Sequence, residues 1–284
     1  MPHWRFDAIG TGWEIESDRE LTDAERANVR AVIERFDREW SRFRPDSVVT
    51  SLVDGGSAVL PADAAAMLDA YLVLSEATDG AVNPLVGGSL SALGYDASIS
   101  LVDSGARAAP VEWPSILGWR DRLTLAGPGI IDVGALGKGR LVDLVQKALA
   151  AVPGSLVVDA SGDLAVRGKD VRVGLEHPFD PARAIGVATI RDQALCASAI
   201  NRRAWGDGLH HVLDARSGLP VRAWAATWAI AAEAMHADAV ATALFFDGGT
   251  GLAAEWGVEW VRMSTDGRAQ RSPGCPVELF TTAS

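Results

Sequence analysis

The chain has 284 residues, 48% of them hydrophobic, enough for a sizeable core in one large domain or two small ones. Its 26 basic and 37 acidic side chains leave a formal charge of −11, which weighs against sequence-independent binding to nucleic acid or anionic membranes; an anionic ligand would need a local positive site. Two distant cysteines, Cys196 and Cys275, form neither a disulfide framework nor a paired metal motif, no secretory signal is visible, and the longest apolar run (223–232) is too short to span a membrane, so a cytoplasmic protein without membrane insertion is expected.

The opening stretch "FDAIGTGWEIES" reads as a strand. In "LTDAERANVRAVIERFDREWSRF", Ala27, Val29, Val32, Ile33, Phe36 and Trp40 fall largely on one side of a helix, and Thr22 with Glu25 makes a capping box that fixes its start. This helix is expected to run to about Phe43, before Pro45, Asp46 and Ser47 begin a turn. "PADAAAMLDAYLVLSEATDG" predicts a second helix closed by Gly80. Ile130 and Ile131 read as the end of a buried strand, after which Leu141, Val142, Leu144, Val145, Ala148, Leu149 and Val152 recur at helical spacing. "SLVVDA", "LAVRG", "VRVGLEH", "GVATIRD" and "ALCASA" predict a run of antiparallel strands. Late in the chain "TWAIAAE" reads as a strand, "AMHADAVATALFF" as a helix and "VEWVRMS" as a strand. Helices and strands mix without regular alternation, and no repeat or linker divides them. The expectation is an α+β fold, a largely antiparallel sheet packed with helices, in a single domain over residues 1–284.

Several stretches could carry chemistry. Between Ile131 and the following helix lie Gly134, Gly137, Lys138 and Gly139. Unpaired N–H groups at a helix start favour an anion such as phosphate, and glycine lets the backbone approach it. The spacing matches neither the Walker loop nor the GxGxxG loop, so a phosphate site and a plain glycine-rich helix start both stay open. Asp238 and Thr242, four apart, share a helix face; their oxygens suit Mg²⁺, while a capping Asp and a Thr bonded back to its own turn are the structural alternative. In "GLHHVLDARSGLPV", His210 and His211 would face opposite ways on a strand. One could transfer a proton near neutral pH, or both could be ordinary histidines before an Asx turn. Phe43 could stack on a ring ligand or belong to the core.

In order along the chain, "IGTGW", "SRFRPDS", "TDGAVNPLVGGSL", "DVGALGKGRLVD", "VVDASGDLAVRG", "HHVLDARSGLPV" and "ADAVAT" resemble the FAD:protein FMN transferase (ApbE-like) family over nearly the whole length. The resemblance implies an ApbE-like, T-fold-like architecture. It also implies an enzyme that takes FAD as substrate, binds Mg²⁺, and moves the FMN moiety onto a Thr or Ser hydroxyl of an acceptor protein, releasing AMP. The implied metal site is Asp238, Thr242 and the backbone carbonyl of Ala135, with the glycine loop beside the FAD diphosphate. Asp132 and Lys138 match FAD-contacting positions, with Lys138 bringing positive charge to the phosphates and standing in the catalytic set. Ala81, Val82 and Asn83 match the segment along the adenine side, Ile9 and Leu213 match apolar contacts, and Phe43 matches a stacking aromatic. His211 matches the family's histidine and is the expected base.

Four departures stand out. The family's usual Tyr is Phe43, its Asp-Pro-Thr or Asp-Ile-Thr is Asn83-Pro84-Leu85, its Thr-Ser-Gly is Ala197-Ser198-Ala199, and its Gly-Gly pair is Ser161-Gly162. They leave Mg²⁺-dependent hydrolysis of FAD to FMN and AMP, or FAD binding without turnover, as alternatives to transfer.

Overall fold

Two residues with left-handed backbone decide how the chain begins. Ile9 (φ 49°) and Gly10 (φ 73°) make a two-residue turn, so the expected single opening strand is a hairpin of β1 (His3–Ala8) and β2 (Thr11–Ser17). The computed structural model describes residues 1–280. α1 (Asp23–Trp40) starts as expected: Glu25 N–H donates to Thr22 Oγ1, and Thr22 N–H donates to the Glu25 carboxylate. The helix stops at Trp40 rather than near Phe43 because the chain folds back. Val48 N–H and Val49 N–H donate to the carbonyls of Arg38 (2.8 Å) and Glu39 (3.3 Å), replacing the bonds that residues 42 and 43 would have made.

β3 (Gly56–Val59), α2 (Ala64–Ala77), α3 (Gly87–Ala92), α4 (Trp113–Ile116), β4 (Leu117–Trp119) and β5 (Arg122–Leu125) follow, the three strands forming a small sheet. α2 closes through Gly80 (φ 80°), whose N–H donates to Ser75 O. Ile130 and Ile131 are not in a strand. Gly129 N–H donates to Val53 O and Asp132 N–H to Pro84 O, isolated bonds to two different segments where a strand would need a ladder. α5 (Gly137–Ala148) then begins at the glycines.

β6 (Leu156–Asp159), β7 (Asp163–Arg167), β8 (Val171–His177), β9 (Asp180–Ile190) and β10 (Ala194–Ala199) are the expected antiparallel run, divided between two sheets. The two-residue strands β11 (Ala204–Trp205), β12 (Leu209–His210), β13 (Leu213–Asp214) and β14 (Leu219–Pro220) make two short ladders. β15 (Trp224–Ala231), α6 (Ala234–Ala243), α7 (Gly249–Glu255), β16 (Glu259–Ser264), β17 (Ala269–Arg271) and β18 (Val277–Leu279) complete the described chain.

The main sheet runs β1-β2-β6-β7-β10-β15-β16-β17, every neighbouring pair antiparallel, and a second sheet runs β18-β9-β8. Alternation sorts the main strands between two cores. Leu156, Val158, Ala165, Cys196 and Ala229 face the core shared with α1, α2, α5 and α6, while Val157, Leu164, Leu195, Trp228 and Ile230 face one closed by Leu175, Ala188, Ile190 and Val277. Burial on both faces explains why β15 is an almost unbroken apolar run. The fold is α+β with a largely antiparallel sheet. Among the described residues no helix is long and apolar enough to cross a membrane.

Candidate active site

α5 and α6 cap one another. Asp143 of α5 accepts from Ala234 N–H (2.7 Å) and Met235 N–H (2.9 Å) at the start of α6, and Asp238 of α6 accepts from Gly139 N–H (2.8 Å) at the start of α5. Each carboxylate meets the positive end of the other helix, which fixes their crossing. Gly139 allows the approach: a Cβ there would lie 2.2 Å from Ala234 O and 2.7 Å from Asp238 Cβ.

This crossing brings three oxygens to one corner. Thr242, one turn beyond Asp238, donates its hydroxyl to Ala135 O at 3.2 Å rather than to its own helix turn. Asp238 caps a helix, although not its own. Burial first, then the charge of Asp163, pushes the Asp238 carboxyl well above the usual range, against the pull of Lys138 and Gly139 N–H. The donors are hard oxygens with a single carboxylate, and no cluster of three or more His, Cys, Asp or Glu able to hold a metal occurs among the described residues. Such a corner fits an ion that completes its shell with phosphate oxygens and water, as Mg²⁺ does.

Lys138 leads to a residue that the sequence did not single out. Its Nζ lies 3.1 Å from Oδ2 of Asp163, a fully buried carboxylate at the start of β7, although that oxygen accepts no well-aligned hydrogen bond. Burial pulls the Lys138 ammonium down, but Asp163 and Asp238 outweigh it and the net shift is upward, so the group is charged. One lysine facing two buried carboxyl groups leaves the second without a positive partner, and a bound cation would favour the ionised form of Asp238.

The glycine loop is less open than its composition suggests. Gly134 N–H donates to Asp132 Oδ1 (2.7 Å), Ala135 N–H to the Tyr71 hydroxyl (3.3 Å), and Leu136 N–H and Gly137 N–H both to Val133 O; Gly139 N–H is taken by Asp238. A free cradle of amides for a phosphate is therefore not what this loop provides. Tyr71, fully buried in α2, also donates to Asp132 O (3.1 Å) and holds the loop from below. The Asp132 carboxylate is engaged as well, its Oδ2 accepting from Arg42 Nε at 2.6 Å. Arg42 is buried, donates to Tyr95 O, and stacks 4.1 Å from the centroid of the Phe43 ring.

All twelve positions expected from the sequence line one cavity of about 920 Å³. Asp132, Ala135, Lys138, Asp238 and Thr242 form the helix side; Ala81, Val82 and Asn83 line another wall; Ile9 enters from the first hairpin, Leu213 from β13, and Phe43 from the turn after α1. His211 closes the set. The departure at Asn83 has a structural reason. Its Nδ2 donates to Pro110 O and its Oδ1 accepts from Leu85 N–H, so an Asp could not replace the donor.

The ladder breaks between His210 and Leu213, and the two histidines separate. His210 Nε2 donates to Val221 O (3.0 Å), whereas His211 borders the cavity and its Nδ1 has no hydrogen-bond partner. Burial, then the charge of Arg203, pushes the His211 imidazole down to about 3, so it is neutral and can accept a proton. Asp163 and Arg42 both lay inside recognised motifs, "SGDLAVRG" and "SRFRPDS", while Tyr71 was hidden in an apolar helical pattern and Arg203 carried no local signal.

A match to the ApbE family spans residues 9–261, and the chain belongs to that family. It is 25% identical, over 94% of its length, to an FAD:protein FMN transferase of Rhodobacter capsulatus, and spans 56% of that relative. Its fold is that of a crystal structure of the ApbE protein of Thermotoga maritima (TM-score 0.83, 21% identity, covering 95% of this chain and 96% of that one). It is also that of the flavin transferase ApbE of Vibrio cholerae (TM-score 0.79, 16% identity, covering 95% and 96%).

Proposed function

We propose that the chain acts, as one domain, as an FAD:protein FMN transferase, moving the FMN moiety of FAD to a Thr or Ser hydroxyl of an acceptor flavoprotein. The observation that carries this reading is the convergence of twelve dispersed positions on one cavity, within a family match that spans most of the chain. At about 920 Å³ the cavity is at the large end of the range for cofactor sites, and its walls pair apolar surfaces with a polar corner.

Asp238, Thr242 and the Ala135 carbonyl would hold Mg²⁺, which when bound supplies charge neutralisation at the diphosphate. Lys138 offsets the buried Asp163 and keeps that wall from repelling an anion. Phe43, 37% exposed, offers a ring face for stacking, and Ala81 and Val82 offer an apolar wall to the adenine. His211 takes the proton of the acceptor hydroxyl as that oxygen forms a bond to the FMN phosphorus and the P–O bond to AMP breaks. The electron pair of that bond leaves with AMP.

The test follows AMP release and acceptor mass together, with FAD, Mg²⁺ and a Thr-containing fragment of a covalent flavoprotein. The expected result is AMP plus a mass gain of one FMN, both lost in chelator. AMP without labelling, which persists when the acceptor is varied, would replace transfer by hydrolysis, and bound but intact FAD would replace it by binding alone.

A further inference from the structure

A diphosphate buried in a protein of net charge −11 needs a positive partner, and most of the cations around this cavity are already committed. Arg42 is paired with Asp132 at 2.6 Å, Arg44 with Asp37 at 2.9 Å, Lys138 with Asp163 at 3.1 Å and Arg202 with Glu176 at 2.9 Å. Five of the loop amides are also spent, at Gly134, Ala135, Leu136, Gly137 and Gly139. Among the described residues, Arg203 is the lining cation that has no ion pair.

Its position is defined by two contacts. The carbonyl of Arg203 accepts from His211 N–H at 3.2 Å, and its guanidinium lies 5.9 Å from the centroid of Tyr95, a ring itself stacked on Trp205. The free charge therefore stands beside His211 on the wall of a cavity that Asp238 and Thr242 also line.

We propose that Arg203 is a phosphate-binding residue of this site, taking a diphosphate oxygen of FAD through its guanidinium while Lys138 stays paired to Asp163. The inference rests on the reading of FAD as substrate and deepens it. An arginine presents a planar fork of donors suited to phosphoryl oxygens, and one unpaired in the free protein gives up no existing partner to bind them. The same charge beside His211 adds to burial in disfavouring the imidazolium, so the ring is neutral in the free protein, and pairing of Arg203 with a phosphate would make the ring more basic.

The deciding experiment measures equilibrium binding of FAD and of riboflavin, which lacks phosphate, to the full chain and to Arg203→Met and Arg203→Lys. Arg203→Met should bind FAD about tenfold to a hundredfold more weakly, the range for one charge-assisted hydrogen bond, with riboflavin unchanged. Arg203→Lys should recover part of the loss. Unchanged FAD binding, equal losses for both ligands, or a wild type that binds FAD no better than riboflavin would each overturn the proposal. Riboflavin binding also reports that the variants are folded. If phosphate-dependent binding holds but no acceptor is ever labelled, the transferase reading fails and the role of Arg203 stands.

Discussion

The two sides of the cavity are built in opposite ways. On one side α5 and α6 cross at Gly139 and cap each other through Asp143 and Asp238, with Tyr71 and Asp163 buried behind them. On the other, the segment from Arg202 to Leu213 has only two-residue strands, and Arg202 and Arg203 are exposed. The helix side spends nearly all its donors and acceptors on itself, which makes it rigid and leaves one oxygen corner. The strand side leaves a charge and an imidazole nitrogen unpartnered. The proposed transfer, which holds one ligand while admitting an acceptor, would be served by this division between fixed oxygens and free groups.

Breaking the helix side should therefore cost the most. Asp238→Ala is expected to abolish Mg²⁺-dependent AMP release while costing the fold only about 1 kcal/mol, because it removes one helix cap and also a carboxylate that burial disfavours. Full activity in excess Mg²⁺ would remove Asp238 from the metal corner. Gly139→Ala tests the crossing itself. The added Cβ meets backbone at Ala234 O, which cannot swing aside, so urea unfolding should show a loss of about 3 kcal/mol. A variant as stable as wild type would show that the helices can part without penalty.

On the strand side the expected losses are kinetic. His211→Ala should bind FAD as wild type does and turn over about 100-fold more slowly, the lower end for general base catalysis. Equal rates would eliminate the residue as the proton acceptor. The same side chain gives a smaller effect on stability. Its folded pKa of about 3 lies below the ordinary value of 6.5, so the unfolded chain binds the proton first as pH falls. The contribution is complete above about pH 6.5 and is lost as pH drops from there towards 3. Relative to His211→Ala, wild type should lose about 1 kcal/mol between pH 7 and pH 5, discounted because the ring borders the cavity. Parallel curves for the two proteins would mean that the imidazole titrates as it does in water.

The same division separates what the sequence could convey from what it could not. α1 was legible because Thr22, Glu25 and the apolar stripe act within a few residues of one another, and the antiparallel strands were legible from their alternation. The opening hairpin was not, because its turn puts a β-branched residue, Ile9, at positive φ, where sequence rules expect Gly or Asn. The cavity positions were legible through motif order rather than through physics. No pattern of spacing joins Ile9 to Asp238. The use each group is put to was hidden for a related reason: the pairing of Arg42 with Asp132 spans 90 positions, and the capping of Gly139 by Asp238 spans 99. The first of those contacts ties Asp132, a lining residue, into the wall as well.

The turn between β6 and β7 also lines the cavity, and the smallest expected effect lies there. Ser161 has φ 56° where the family usually has Gly, and its hydroxyl donates to Gly12 O at 2.8 Å on the exposed surface. A left-handed non-glycine residue costs about 1 kcal/mol, while an exposed hydrogen bond returns about 0.5 kcal/mol. Ser161→Ala keeps the first and loses the second, so it should be about 0.5 kcal/mol less stable than wild type. Ser161→Gly relieves the backbone but loses the bond and gains freedom in the unfolded chain, and these terms cancel to within about 0.5 kcal/mol. Stability should thus rank wild type and Ser161→Gly together, with Ser161→Ala below. If glycine proves the least stable of the three, the freedom it gains in the unfolded chain outweighs the strain it relieves, because both variants lose the bond to Gly12 alike.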